Sequence, residues 1–148
     1  MKFLRAILPF VATIAVLPIG AAMAEVIECK MDPGFNGWYV APVIRVDIGE
    51  GEMIQGGSAK VSDDLIRSTE RKAVLGTVAK DTEKQLVIAW DLQGLPPDPK
   101  RTNWWVRDLH LLTRLAIKRP ALTASLTASD VGQAGKSYRA TGTCSLQK

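Results

Sequence analysis

Apolar residues recur at every second position through most of this chain, a period that belongs to half-buried β-strands and not to helices. In Gln85 to Leu92 they are Leu86, Ile88, Trp90 and Leu92. In Ala121 to Ala128, Leu122, Ala124, Leu126 and Ala128 alternate with Thr123, Ser125 and Thr127. Near the end, Tyr138, Ala140, Gly142 and Cys144 alternate with Arg139, Thr141 and Thr143. In Trp38 to Ile48 the even positions are Trp38, Val40, Pro42, Ile44, Val46 and Ile48, with Pro42 marking an edge or a bulge. The alternation turns Trp38 and Trp90 inward.

Turn-forming clusters separate these runs. Pro33 to Gly37 precedes the first, and Gly49-Glu50-Gly51-Glu52 follows it. Asp81-Thr82-Glu83-Lys84 joins Ala73–Lys80 to the next strand as a hairpin, and Gly132 to Gly135 separates the last two. Ser62 to Arg71 is polar and reads as a loop or one helical turn. Asn103 to Lys118 fits two periods. As a strand it turns Trp105, Leu109, Leu111, Leu115 and Ile117 one way and Asp108, His110, Arg114 and Lys118 the other. As a helix it makes a stripe of Trp105, Leu109, Leu112 and Ala116, stopped by Pro120. Neighbouring strands and short connections favour the strand. The expected fold is all-β: an antiparallel meander of about seven or eight strands, as a small closed barrel or a sandwich.

The first 24 residues read as a cleaved signal peptide. Lys2 and Arg5 precede an apolar run from Ala6 to Leu17, Pro18-Ile19-Gly20 breaks it, and Ala22-Met23-Ala24 is a cleavage site. The run is shorter than the roughly 20 residues that span a bilayer. Residues 25–148 are then one β domain, without a transmembrane segment, in the periplasm or secreted. In an oxidising compartment Cys29 and Cys144, near the two ends of that domain, are expected to pair and to set the first and last strands side by side.

Composition excludes several chemistries. Two Cys and one His rule out a zinc ribbon or a poly-His metal site, and no Gly-x-Ser-x-Gly elbow supplies a nucleophile. No catalytic residue, metal ligand or cofactor is expected. His110 with Asp108 on the same strand face is the one arrangement open to general base chemistry. The carboxylates of Asp47, Glu50 and Glu52 lie in a glycine-rich turn without the spacing of a calcium loop.

Removing the signal lowers the formal charge from +4 to +2, which gives nucleic-acid binding no support. The charge is segregated, however. Lys100, Arg101, Arg107, Arg114, Lys118 and Arg119 face a single acid, Asp108, within twenty residues. Trp104 and Trp105 stand among them, beside the proline-rich Leu95 to Arg101. Lys100, Arg101, Trp104, Trp105 and Arg107 therefore form a candidate interaction surface for an envelope lipid, lipopolysaccharide or a periplasmic protein. The other reading is a hollow barrel carrying an apolar ligand, lined by Trp38, Ile44, Ile88 and Trp90.

Two resemblances add to this. Cys29, Gly37-Trp38, Ala59-Lys60-Val61, Ile88-Ala89-Trp90 and Tyr138…Gly142-Thr143-Cys144 follow one another in an order that resembles a group of small secreted proteins of alphaproteobacteria. That resemblance implies an all-β fold and no particular activity. Ala134-Gly135-Lys136-Ser137-Tyr138 resembles the Ser-Gly-x-x-Tyr loop of periplasmic lysozyme inhibitors, small β-barrels with a terminal disulfide. It differs at its first residue and lies close to the last Cys, not mid-chain. It implies enzyme inhibition as a minor alternative to a binding module.

Overall fold

The computed structural model describes residues 25–36, 38–49, 56–96, 108–133 and 135–147. Eight strands follow in order: β1 (Glu25–Asp32), β2 (Val43–Ile48), β3 (Ser58–Asp63), β4 (Val74–Asp81), β5 (Gln85–Leu95), β6 (Leu109–Lys118), β7 (Thr123–Asp130) and β8 (Ser137–Gln147). One helix, α1 (Asp64–Ser68), lies between β3 and β4, and a 3₁₀ turn, Gly34–Asn36, follows β1. Each strand pairs antiparallel with the next, and β8 returns to β1, closing a barrel. Closure leaves no free strand edge.

The seam between β1 and β8 carries the disulfide. Cys29 and Cys144 are direct register partners, joined through sulfur, with Cα atoms 3.9 Å apart. The bond spans 115 residues of sequence. A loop of ~100 residues removes roughly 4.7 kcal/mol of unfolded-state entropy in the chain-entropy description.

Strand faces follow the period. In β6, Leu109, Leu111, Thr113, Leu115 and Ile117 are buried, while Leu112, Arg114 and Lys118 are exposed. The strand is thus the form taken by the described part of Asn103–Lys118. In β7, Ala124, Leu126, Ala128 and Asp130 point inward. The polar Ser62–Arg71 stretch contains one helical turn. Asp63 caps it, its carboxylate accepting the Ile66 N–H at 2.7 Å. Asp81–Lys84 is a hairpin turn, in which the Thr82 hydroxyl accepts the Gln85 N–H.

One expected strand is shorter than its pattern. β2 begins at Val43, and the even-position alternation fails before it. Tyr39, Val40 and Ala41 are all buried, while Trp38 and Pro42 are exposed. Proline has no N–H for a ladder. The Pro42 carbonyl still accepts the Met31 N–H at 2.8 Å, so pairing starts there and the residues before it form a connection. Trp38 is therefore not an inward-facing residue: it is 36% exposed, and its indole N–H donates to the Pro96 carbonyl at 2.9 Å.

Candidate binding surface

The barrel interior is filled. Ile44 and Ile88 are completely buried and Trp90 nearly so. A void beside Ile44 and Trp90, bounded also by Tyr39, Asp63, Leu111, Thr113 and Leu126, measures about 10 Å³. That is about the space of one water. The lining set of Trp38, Ile44, Ile88 and Trp90 thus splits. Three members pack the core and Trp38 lies outside it, so among the described residues they enclose no ligand-sized chamber.

Lys100, Arg101, Trp104, Trp105 and Arg107 lie outside the described residues. The structure places the points where that segment leaves and re-enters: Pro96 after β5 and Asp108 before β6, at one end of the barrel. The same end holds the connection from β1 to β2, helix α1 and the turn from β7 to β8. Phe35, in the 3₁₀ turn of that connection, is 97% exposed. Val131, in the β7–β8 turn, is half-exposed. Trp38 links the Phe35 connection to the base of the segment through its bond to Pro96. Beside Phe35, Asp32, Pro33, Gly34, Arg139 and Thr141 line a surface cleft of about 430 Å³.

Beneath these residues the end is closed by a stack. The Tyr39 and Tyr138 rings lie 3.9 Å apart and 13° from parallel, and Lys136 Nζ stands 6.0 Å from the Tyr138 centroid. Tyr138 is the tyrosine of the segment resembling a lysozyme-inhibitor loop. It is buried, so it anchors the turn and does not project from it.

The basic stretch does not form one patch. β6 runs from the Phe35 end to the opposite end, about 30 Å for its ten residues. Arg119, beyond β6 at the far end, donates to Asp81 Oδ1 at 2.8 Å and lies 4.0 Å from Glu25 Oε2. Its charge is locally answered. Arg114 and Lys118 lie along the barrel wall. Only Lys100, Arg101 and Arg107 belong to the segment that departs from the aromatic end.

His110 does not pair with Asp108. Its Nε2 stands 2.6 Å from Asp91 Oδ1 on β5, across the strand pair. Burial pushes the carboxyl of Asp63 above its ordinary value, against the opposing hydrogen bonds from the Ile66 and Leu65 amides. Among the described residues no group of three or more His, Cys, Asp or Glu is arranged to hold a metal. Asp47 sits in β2 opposite Lys60, and Glu50 and Glu52 lie outside the described residues.

Sequence reasoning passed over Phe35 and Val131. The signal for Phe35 was present, since an aromatic between Gly34 and Gly37 in a turn has little to pack against. Among the described residues no helix is long and apolar enough to cross a membrane. The chain matches no protein-family model, no curated protein and no solved structure.

Proposed function

We propose that this protein is an exported, non-enzymatic binding module that uses the Phe35 end of the barrel to engage an anionic, partly apolar surface of the cell envelope. The observation that carries the reading is the 97% exposure of Phe35 at the end from which the Trp- and Arg-bearing segment departs. A large aromatic held in water on a firm disulfide-closed scaffold stands ready for burial elsewhere. Burying a phenylalanine fully is worth about 1.5–3 kcal/mol. Lys100, Arg101 and Arg107 would add about 1 kcal/mol each near an anionic lipid surface, a contribution that salt screens. The close packing of Ile44, Ile88 and Trp90 inside the barrel favours binding on the outside over carriage of an apolar ligand within. Export, removal of residues 1–24 and a periplasmic or secreted location belong to the same proposal, supported by the Ala22-Met23-Ala24 site and the disulfide.

Co-sedimentation with phosphatidylglycerol and phosphatidylcholine vesicles tests it. The protein should partition to the anionic vesicles, less so in high salt. Phe35→Ser should weaken binding about tenfold or more without lowering the melting temperature. Reversal of Lys100, Arg101 and Arg107 to Glu should abolish the salt dependence. Absence of binding to anionic vesicles, or binding unaffected by Phe35→Ser, would sink the proposal.

A further inference from the structure

The outer wall of the barrel carries a second feature, away from the Phe35 end. Strands β4 to β7 present a groove of about 620 Å³. Its floor is small: Thr77, Ala89, Thr127 and Ser129. Two leucines rise from it, Leu75 at 74% exposure and Leu112 at 50%. Register fixes their places. Asp91 pairs with Leu112, and Ala89 with Arg114. Thr77 pairs with Ala89, which brings Leu75 level with Asp91. Asp91 thus stands between two exposed leucines, and Arg114 lies diagonally from it. Among the described residues nothing pairs with the Arg114 side chain.

We infer that this face docks a second copy of the chain about a twofold axis. The argument is charge complementarity within one patch. An isologous contact needs each surface to carry both halves of every pair. Asp91 and Arg114 are such halves. A twofold axis lying in the interface, perpendicular to the line from Asp91 to Arg114, sets each Asp91 against the Arg114 of the other copy. The axis then runs close to Leu112, which meets its own counterpart. The strands of the two copies cross near a right angle, one of the two ways in which sheets pack face to face. That crossing carries Leu75 toward the small Ala116 of the other copy. His110 Nε2 stands at Asp91 Oδ1 and the Gln93 side-chain amide donates to Oδ2 at 3.5 Å, a long contact that the incoming guanidinium would share or displace. Because the closed barrel has no free edge, copies associate by faces, and a floor of Thr, Ser and Ala lets the faces approach.

Sedimentation velocity from micromolar to submillimolar protein tests this, with near-ultraviolet circular dichroism to confirm folding. The unaltered protein should show a concentration-dependent dimer. Asp91→Arg and Arg114→Asp should each weaken it by about tenfold or more, through two like-charge contacts. The double variant restores opposite charges across the axis and should recover the dimer. Leu75→Glu, at a largely exposed position that the fold does not need, should also give monomer. A protein that stays monomeric at every concentration overturns the inference and leaves the groove to a different partner. So does a dimer indifferent to the single charge reversals, or a folded double variant that fails to recover it.

Discussion

Gly142→Ala should destabilise the barrel at its seam. Gly142 lies in β8 opposite Met31 of β1. A Cβ placed there would stand 2.1 Å from the Lys30 carbonyl oxygen and 2.9 Å from both Cα and Sδ of Met31. Ordinary carbon–oxygen contacts are about 3.3–3.6 Å, so β1 would have to retreat by more than about 1 Å. The atom in the way is backbone, and β1 is held by paired strands on both sides and by the disulfide two residues along. Overpacking of this kind costs about 1–3 kcal/mol, and a rigid obstruction belongs at the upper end. Against it, Gly→Ala gains about 0.4–1 kcal/mol by restricting the unfolded chain. The net loss is then about 2 kcal/mol, a fall in melting temperature of roughly 10 °C for a domain of this size. Gly132→Ala is the control. Its Cβ would meet only Asp130 Oδ1, at an ordinary 3.4 Å, and its effect should stay within about 0.5 kcal/mol. Calorimetry of the two variants decides. In a background of Cys29→Ala and Cys144→Ala the strands can part more easily, so the Gly142 penalty should shrink. A Gly142→Ala protein melting within about 2 °C of the unaltered one would refute the claim that the seam is tight.

Two further outcomes follow from buried groups. Burial is the chief cause that raises the Asp63 carboxyl above its ordinary value. The native state therefore holds that proton more tightly than the unfolded chain, and this group's contribution to stability falls as pH rises from the unfolded value through the raised native one. Asp63→Asn keeps an acceptor for the Ile66 amide and removes that dependence, so it should match or exceed the unaltered protein at neutral pH. Asp63→Ala should lose about 1–2 kcal/mol through the missing cap. Urea unfolding across the acid range checks both, and an Asn variant as unstable as the Ala variant would show that the charge itself is needed. Replacing Cys29 and Cys144 together by Ala should cost about 2–5 kcal/mol. A loss below about 1 kcal/mol in urea would mean that strand pairing alone closes the barrel.

Much of the fold was legible because strand period is a local property. Leu109 to Lys118 alternates between an apolar and a polar set, and each set turned up on the face that the alternation assigns. The helical stripe of the same stretch found no role, because β5 and β7 offered backbone partners along its whole length. The alternation misled at Trp38 and Pro42, where chance spacing continued a pattern past the point at which proline ends the ladder. The pairing of the cysteines was legible from their number, since a chain with two cysteines has one way to join them within itself.

The candidate surfaces were legible in part. The charge run from Lys100 to Arg119 read as one block, yet closure sends Arg119 to the end opposite the Trp-bearing segment and gives it Asp81 as a partner. His110 shares a strand face with Asp108 in the sequence, and the neighbouring strand brings Asp91 to it instead. The groove beside Leu75 and Leu112 has no sequence signature, because its residues come from four strands and meet only through register.

The sequence by itself determined which side chains point inward in the runs that alternate, from Val43 to Ile48, Gln85 to Leu92, Leu109 to Lys118 and Thr123 to Ala128, and which two residues form the disulfide, since these depend on neighbours a few positions away or on a count of two. Tertiary structure decided that eight strands close into a barrel, that its interior is full, that Gly142 meets the Lys30 carbonyl, and which charges find partners. Each of those depends on the register between segments distant along the chain, and a period of two is the same in every register that keeps the apolar face inside.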